Sequence, residues 1–163
     1  MYVLDATPLI YLGKADALEV LDSFDVVTTR RVYDEVVTRG KKAGASDARR
    51  VERYDLNVVE ATENETYERL TDAPGLSDAD VSVLALTDER DATAVMDERR
   101  GRTVANAEGI EVRGTAFLLL SAVKQDELKD DEAREILDGM VDAGWYCSTS
   151  FYAKTVSKLE ELG

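Results

Sequence analysis

Four acidic residues stand where a carboxylate is either useful or costly. Asp5 ends the apolar run in VLDATPLI, and Glu35 interrupts an apolar helical pattern in VYDEVV. Asp80 lies in the first turn of LSDADVSVLAL, and Asp97 follows an apolar stretch in AVMDERR. A buried carboxylate without a partner is expensive, so each must be exposed, hydrogen-bonded or matched by a cation. Three or four carboxylates that converge repel one another, and their pKa values rise. A hard divalent ion removes that repulsion and prefers oxygen ligands, at about 2.1 Å for Mg²⁺. Such an ion lowers the pKa of a bound water and polarises a phosphodiester, either alone or as one of a pair.

Composition narrows the chemistry further. The chain has no His, which excludes His-based general bases, Ser-His-Asp triads and His-ligated metals. Its single Cys, Cys147, permits neither an internal disulfide nor a Cys-based zinc site. Any metal must therefore be held by oxygen, which points to Mg²⁺, Mn²⁺ or Ca²⁺. With 163 residues and 44% hydrophobic content, one domain with one sizeable core is expected. The 34 acidic and 20 basic residues give a net charge of −14, and lysine is scarce. That acidic surface, spread along the chain, predicts a protein adapted to high salt. No 18-residue apolar run and no signal-peptide pattern is present, so a cytoplasmic protein without membrane contact is expected.

Each carboxylate also has an ordinary structural use. Asp5 and Asp97 are placed to cap the helices that follow them. Asp80 can serve a capping box and the helix dipole, and Glu35 a solvated helix face. Asp78 and Glu98 fit the first turns of their helices in the same way. A cation site is distinguished from these uses by convergence.

The elements that must bring them together alternate along the chain. Residues 1–4, 25–29 and 92–96, with LNVVEA and IEVRG, read as short apolar strands. Between them TPLIYLGKA (with Thr7 as N-cap), DALEVLDSF (with Asp16 as cap), RRVYDEVVTRG (ended by Gly40) and SDARRVERY read as helices. SDADVSVLALTDERD and ERRGRTVANAEG complete that set, the former capped by Ser77 with Asp80 three residues on. Three further helices are predicted at 115–124, 131–143 and 149–162. Alternation of this kind gives a parallel sheet with helices on both faces, whose ligands bind beyond the carboxyl ends of the strands at a topological switch point. Asp5 and Asp97, each directly after a strand, are expected at that edge.

The four acidic motifs, in this order, resemble those of PIN-domain ribonucleases. The resemblance covers about residues 1–125, and RGTAFLLLSAVKQDEL and GWYCSTSFY are similar to the tail of one archaeal and bacterial subgroup. It implies a Rossmann-like three-layer α/β/α sandwich with extra C-terminal helices: a single domain over 1–163, with a core at 1–125 and an extension at 126–163. It implies an Mg²⁺- or Mn²⁺-dependent endoribonuclease leaving a 5′-phosphate and a 3′-hydroxyl. Asp5, Glu35, Asp80 and Asp97 match the acidic quartet, Asp78 an additional acid, and Thr7 a hydroxyl that supports Asp5. Ala6 departs from the Thr or Ser common after the first Asp. Many such proteins are toxins of VapC type paired with an antitoxin, and others mature ribosomal RNA.

A basic island lies inside the acidic chain. Residues 30–53 hold eight basic and four acidic residues around Glu35. Arg30, Arg31, Lys41 and Lys42, with Arg99 and Arg102 after Asp97, are candidate RNA contacts; pairing with nearby acids is the competing use. Trp145 and Tyr146 suit either packing or a contact in an expected homodimer. Two other functions compete. A phosphoryl-transfer hydrolase with a nucleophilic Asp5 lacks the second Asp two residues on, where Thr7 stands. A PIN-like module that binds RNA or protein without turnover keeps the same residues.

Overall fold

The structure, a computed structural model, describes residues 1–60 and 62–163. Among them a five-stranded, wholly parallel sheet forms from β1 (Tyr2–Leu4), β2 (Val26–Thr29), β3 (Val58–Val59), β4 (Thr93–Val95) and β5 (Glu111–Arg113), in the order β3-β2-β1-β4-β5. Helices α1 (Ala6–Lys14), α3 (Ser46–Arg53), α4 (Glu65–Leu70), α5 (Asp78–Glu89), α6 (Arg99–Ala107), α7 (Thr115–Lys124), α8 (Asp130–Asp142) and α9 (Thr149–Leu162) surround it. Helix α2 is continuous but composite: α-helical over Arg30–Tyr33, π-helical over Asp34–Arg39, and α-helical again over Gly40–Lys42. The result is the three-layer α/β/α sandwich that the sequence predicts.

Val3, Leu4, Val27, Ala94 and Val95 are completely buried, because helices cover both faces of the sheet. Leu137 and Met140 of α8 and Leu159 of α9 join the same hydrophobic cluster, so the C-terminal helices share the one core. Each fully buried Leu contributes roughly 1.5–3 kcal/mol.

Chain order creates the switch point. The chain builds outward from β1 through β2 to β3, then returns to place β4 on the other side of β1. The register pairs Leu4 with Val95, and the Asp5 amide donates to Val95 O at 3.0 Å. Asp5 and Asp97 thus leave adjacent strands at the same edge.

Four local expectations need correction. Helix α1 begins at Ala6, so Asp5 and not Thr7 holds the N-cap position. The ladder bond from Asp5 to Val95 keeps Asp5 extended, and the helix turns in directly after it. DALEVLDSF forms only a 3₁₀ turn over Leu18–Ser23. Asp16 adopts φ 53°, a left-handed conformation that breaks the helix expected there. Gly40 does not end α2 but lets α3 pack closely, since a Cβ there would lie 2.9 Å from Ala48 Cβ. LNVVEA pairs only at Val58–Val59, and Ala61, its last residue, lies outside the described residues.

A buried hydroxyl network fixes the helices that carry the acids. Thr28 Oγ1 donates to Leu4 O at 2.7 Å, tying β2 to the last residue of β1. Ser82 Oγ donates to Ala79 O at 2.6 Å, so Thr29 Oγ1 must supply the proton in its 2.7 Å bond to Ser82. Thr29 Oγ1 also accepts from Val32 N at 3.2 Å and so caps α2. One hydroxyl therefore locks α2, which carries Glu35, to α5, which carries Asp80. Thr29→Val keeps the volume but removes both bonds. Denaturant unfolding should show a loss of about 1–3 kcal/mol.

Candidate active site

The central strand delivers Asp5 into the crevice, with Glu35 on the β2 side and Asp97 on the β4 side. Asp5 is 5% exposed. It occupies an N-cap position yet makes no capping bond, and its Oδ1 has no hydrogen-bond partner. Burial pushes its pKa well up, and the Asp80 charge adds to this. Glu35 contributes more weakly in the same direction, while the Ala6 amide opposes it. A capping role is thereby removed for Asp5, and what is left is a desolvated carboxylate surrounded by like charge.

Asp80 keeps its ordinary use as well. Its Oδ2 accepts from Ser77 N at 3.0 Å, and its own amide donates to Ser77 Oγ at 3.1 Å, completing a capping box. Glu35 lies on the exposed side of the π segment, a departure from α-helical geometry that is frequent at functional sites. Burial of its carboxyl raises its pKa, Asp80 raises it further, and Arg39 lowers it. Glu35 and Asp78 line an open cavity of about 390 Å³ with Arg31 and Arg39. Asp78 is exposed and pairs with Arg31 at 3.6 Å.

Asp97 is held differently. Glu98, not Asp97, is at the N-cap position of α6. The Thr115 amide donates to Asp97 Oδ1 at 2.8 Å and the Thr115 hydroxyl to Oδ2 at 2.5 Å. Gly114 must stay small, because a Cβ there would lie 2.9 Å from both Asp97 Oδ1 and an Arg102 nitrogen. Thr115 thus does for Asp97 what Thr7 was expected to do for Asp5; the structure shows no hydrogen bond between Thr7 and Asp5. No spacing signal links residues 18 apart in sequence, so this support for Asp97 is visible only in the fold.

The structure therefore groups Asp5, Asp80 and Glu35 electrostatically and sets Asp97 at the end of the adjoining strand. Among the described residues no group of three or more His, Cys, Asp or Glu side chains is placed to hold a metal ion. The donor set nevertheless fits a hard cation. It is all oxygen, one oxygen is buried without a partner, and the surrounding charge is negative.

The expected RNA contacts divide. Arg31 borders the Glu35 cavity, stacked over Tyr67, and Arg102 borders a second cavity beside Asp97. Arg30 pairs with Glu60 and Lys41 with Glu52, while Lys42 and Arg99 are exposed.

A family model described as the PIN domain matches residues 1–161. The chain belongs to the PIN-domain family. PIN domains are usually nucleases and generally use divalent metal ions, which agrees with a crevice built from oxygen ligands. No match to the chain is found among curated proteins or solved structures. No helix among the described residues is long and apolar enough to cross a membrane.

The raised pKa of Asp5 has a definite consequence for stability. Below its unfolded pKa the carboxyl is protonated in both states and burial carries no charge penalty. As pH rises through the folded pKa, the penalty develops fully, so the cation-free protein weakens toward neutral pH. Asp5→Asn should raise the Tm measured in EDTA at neutral pH, by roughly 2–4 °C per kcal/mol relieved, and the gain should vanish in acid.

Proposed function

We propose that this PIN-domain protein is an Mg²⁺- or Mn²⁺-dependent endoribonuclease that leaves a 5′-phosphate and a 3′-hydroxyl. The observation that carries the reading is the buried Asp5 carboxylate, one oxygen free of any partner, pressed by Asp80 and Glu35 at the switch point. Asp5, Asp80, Glu35 and Asp97 would hold the ion, with Asp78 at the outer edge. A divalent cation supplies Lewis acidity toward phosphate oxygens and water. The chain supplies position. Thr115 fixes both oxygens of Asp97, and the Ser77 box fixes Asp80 on α5. Arg31 and Arg39 at the mouth of the Glu35 cavity neutralise a phosphate backbone approaching the acids.

The experiment is cleavage of a mixed RNA pool in high KCl, with Mn²⁺ or EDTA. Wild type with metal should cut, and Asp97→Asn should be slowed more than about 100-fold, beyond the range usual for a residue outside the ligand set. Thr115→Val, which acts only through Asp97, should lose about 10–100-fold, with added Mn²⁺ recovering part of the rate. Equal cutting by wild type and Asp97→Asn, or undiminished cutting in EDTA, would overturn the reading.

A further inference from the structure

The cavity on the Asp97 side differs from the acidic crevice. It measures about 560 Å³ and lies against α7, α9 and the segment joining α8 to α9. Its lining cations are Arg102, Arg113, Lys154 and Lys158, and its one lining acid is Asp97. Residues 143–159 contain no Asp or Glu at all, in a chain of net charge −14. Arg113 is paired with Glu111 and Lys158 with Glu161, but both pairs are exposed and readily exchanged.

Aromatic side chains stand among these cations. Tyr146 is 88% exposed and Phe151 44% exposed, although both are large and apolar enough to be buried. Trp145 packs edge-on to Phe151, with ring centroids 6.5 Å apart. It is 5% exposed, and its Nε1–H has no acceptor. Trp145 is among the residues that line the cavity. A ligand that offers flat apolar faces and negative charge together matches the exposed rings and the lining cations.

We propose that this groove binds single-stranded RNA flanking the bond to be cut. Unstacked bases lie on Tyr146 and Phe151, and phosphates follow Arg102, Lys154 and Lys158. A duplex keeps its bases stacked internally and presents none to exposed rings. The proposal rests on the nuclease reading, because Asp97 at one end of the groove connects it to the crevice. It adds a binding groove to that reading and moves part of the RNA contact from the 30–53 island to the C-terminal helices.

The test uses the full chain in EDTA, where the proposed metal dependence keeps the RNA intact. A short fluorescein-labelled oligoribonucleotide and its blunt duplex are titrated by anisotropy, while emission from Trp145, the sole Trp, is followed with unlabelled RNA. Wild type should prefer the single strand, and its Trp145 emission should change on binding. The double variant Tyr146→Ala, Phe151→Ala should weaken single-strand binding at least about tenfold, and change duplex binding less than about twofold. Absence of binding by wild type, unchanged affinity in the double variant, or silent Trp145 emission would overturn the proposal. So would a dimer that the double variant dissociates, because the face would then belong to a second copy. Binding with the expected variant pattern, but no cutting when Mn²⁺ is restored, would support the groove and remove the hydrolase reading alone.

Discussion

The Asp5 carboxylate is almost fully buried at the end of the central strand, beside Asp80 and within the field of Glu35. Burial and like charge act in the same direction on it, and its one free oxygen finds no donor in the fold. A chain selected only for stability would replace such a group with an amide or an apolar residue, since unmatched buried charge is strongly destabilising. A divalent cation would reverse the sign of each term: repulsion among the acids would become shared attraction, and the free oxygen would serve as a ligand. In the proposed function the same arrangement, a stability defect by itself, would serve as the cation's binding site.

The rest of the fold holds that arrangement in place. Strand order sets Asp5 and Asp97 on neighbouring strands, and the Thr28–Leu4 and Thr29–Ser82 bonds lock β2, α2 and α5 around them. None of those hydroxyls reaches solvent, so their bonds are hard to exchange and the helices cannot drift apart cheaply. Thr115 fixes the far side, where Gly114 leaves room for Asp97 and Arg102 to approach one backbone position. Rigid supports of this kind matter because mutually repelling carboxylates would otherwise turn away from one another.

Much of this was legible in the sequence, for identifiable reasons. The β1 and β4 strands were readable because buried parallel strands are short unbroken apolar runs, and the Ser77–Asp80 box because its spacing is local. Asp5 was legible as an anomaly, a charge closing an apolar run. Thr115 was not, because its partner lies 18 residues away and only the return of β5 brings them together. Thr7 is expected as the helix N-cap and, from the resemblance, as a support for Asp5, but the start of α1 at Ala6 puts it inside the helix. The 3₁₀ turn at Leu18–Ser23 escaped because apolar spacing alone does not reveal the left-handed Asp16 before it. The π segment carrying Glu35 has no sequence signature in periodicity, and α4 lies in a stretch with too little pattern to read.

The central claim concerns the place of the cation, and anomalous scattering locates it directly. Crystals of the protein soaked in MnCl₂, with data collected at the manganese edge, should show a peak bonded to Asp5 Oδ1 and bordered by Asp80 and Asp97. The same soak of Asp5→Asn crystals should lose that peak. A wild-type map with no anomalous density in the crevice, or with manganese bound only at surface carboxylates, would contradict the account.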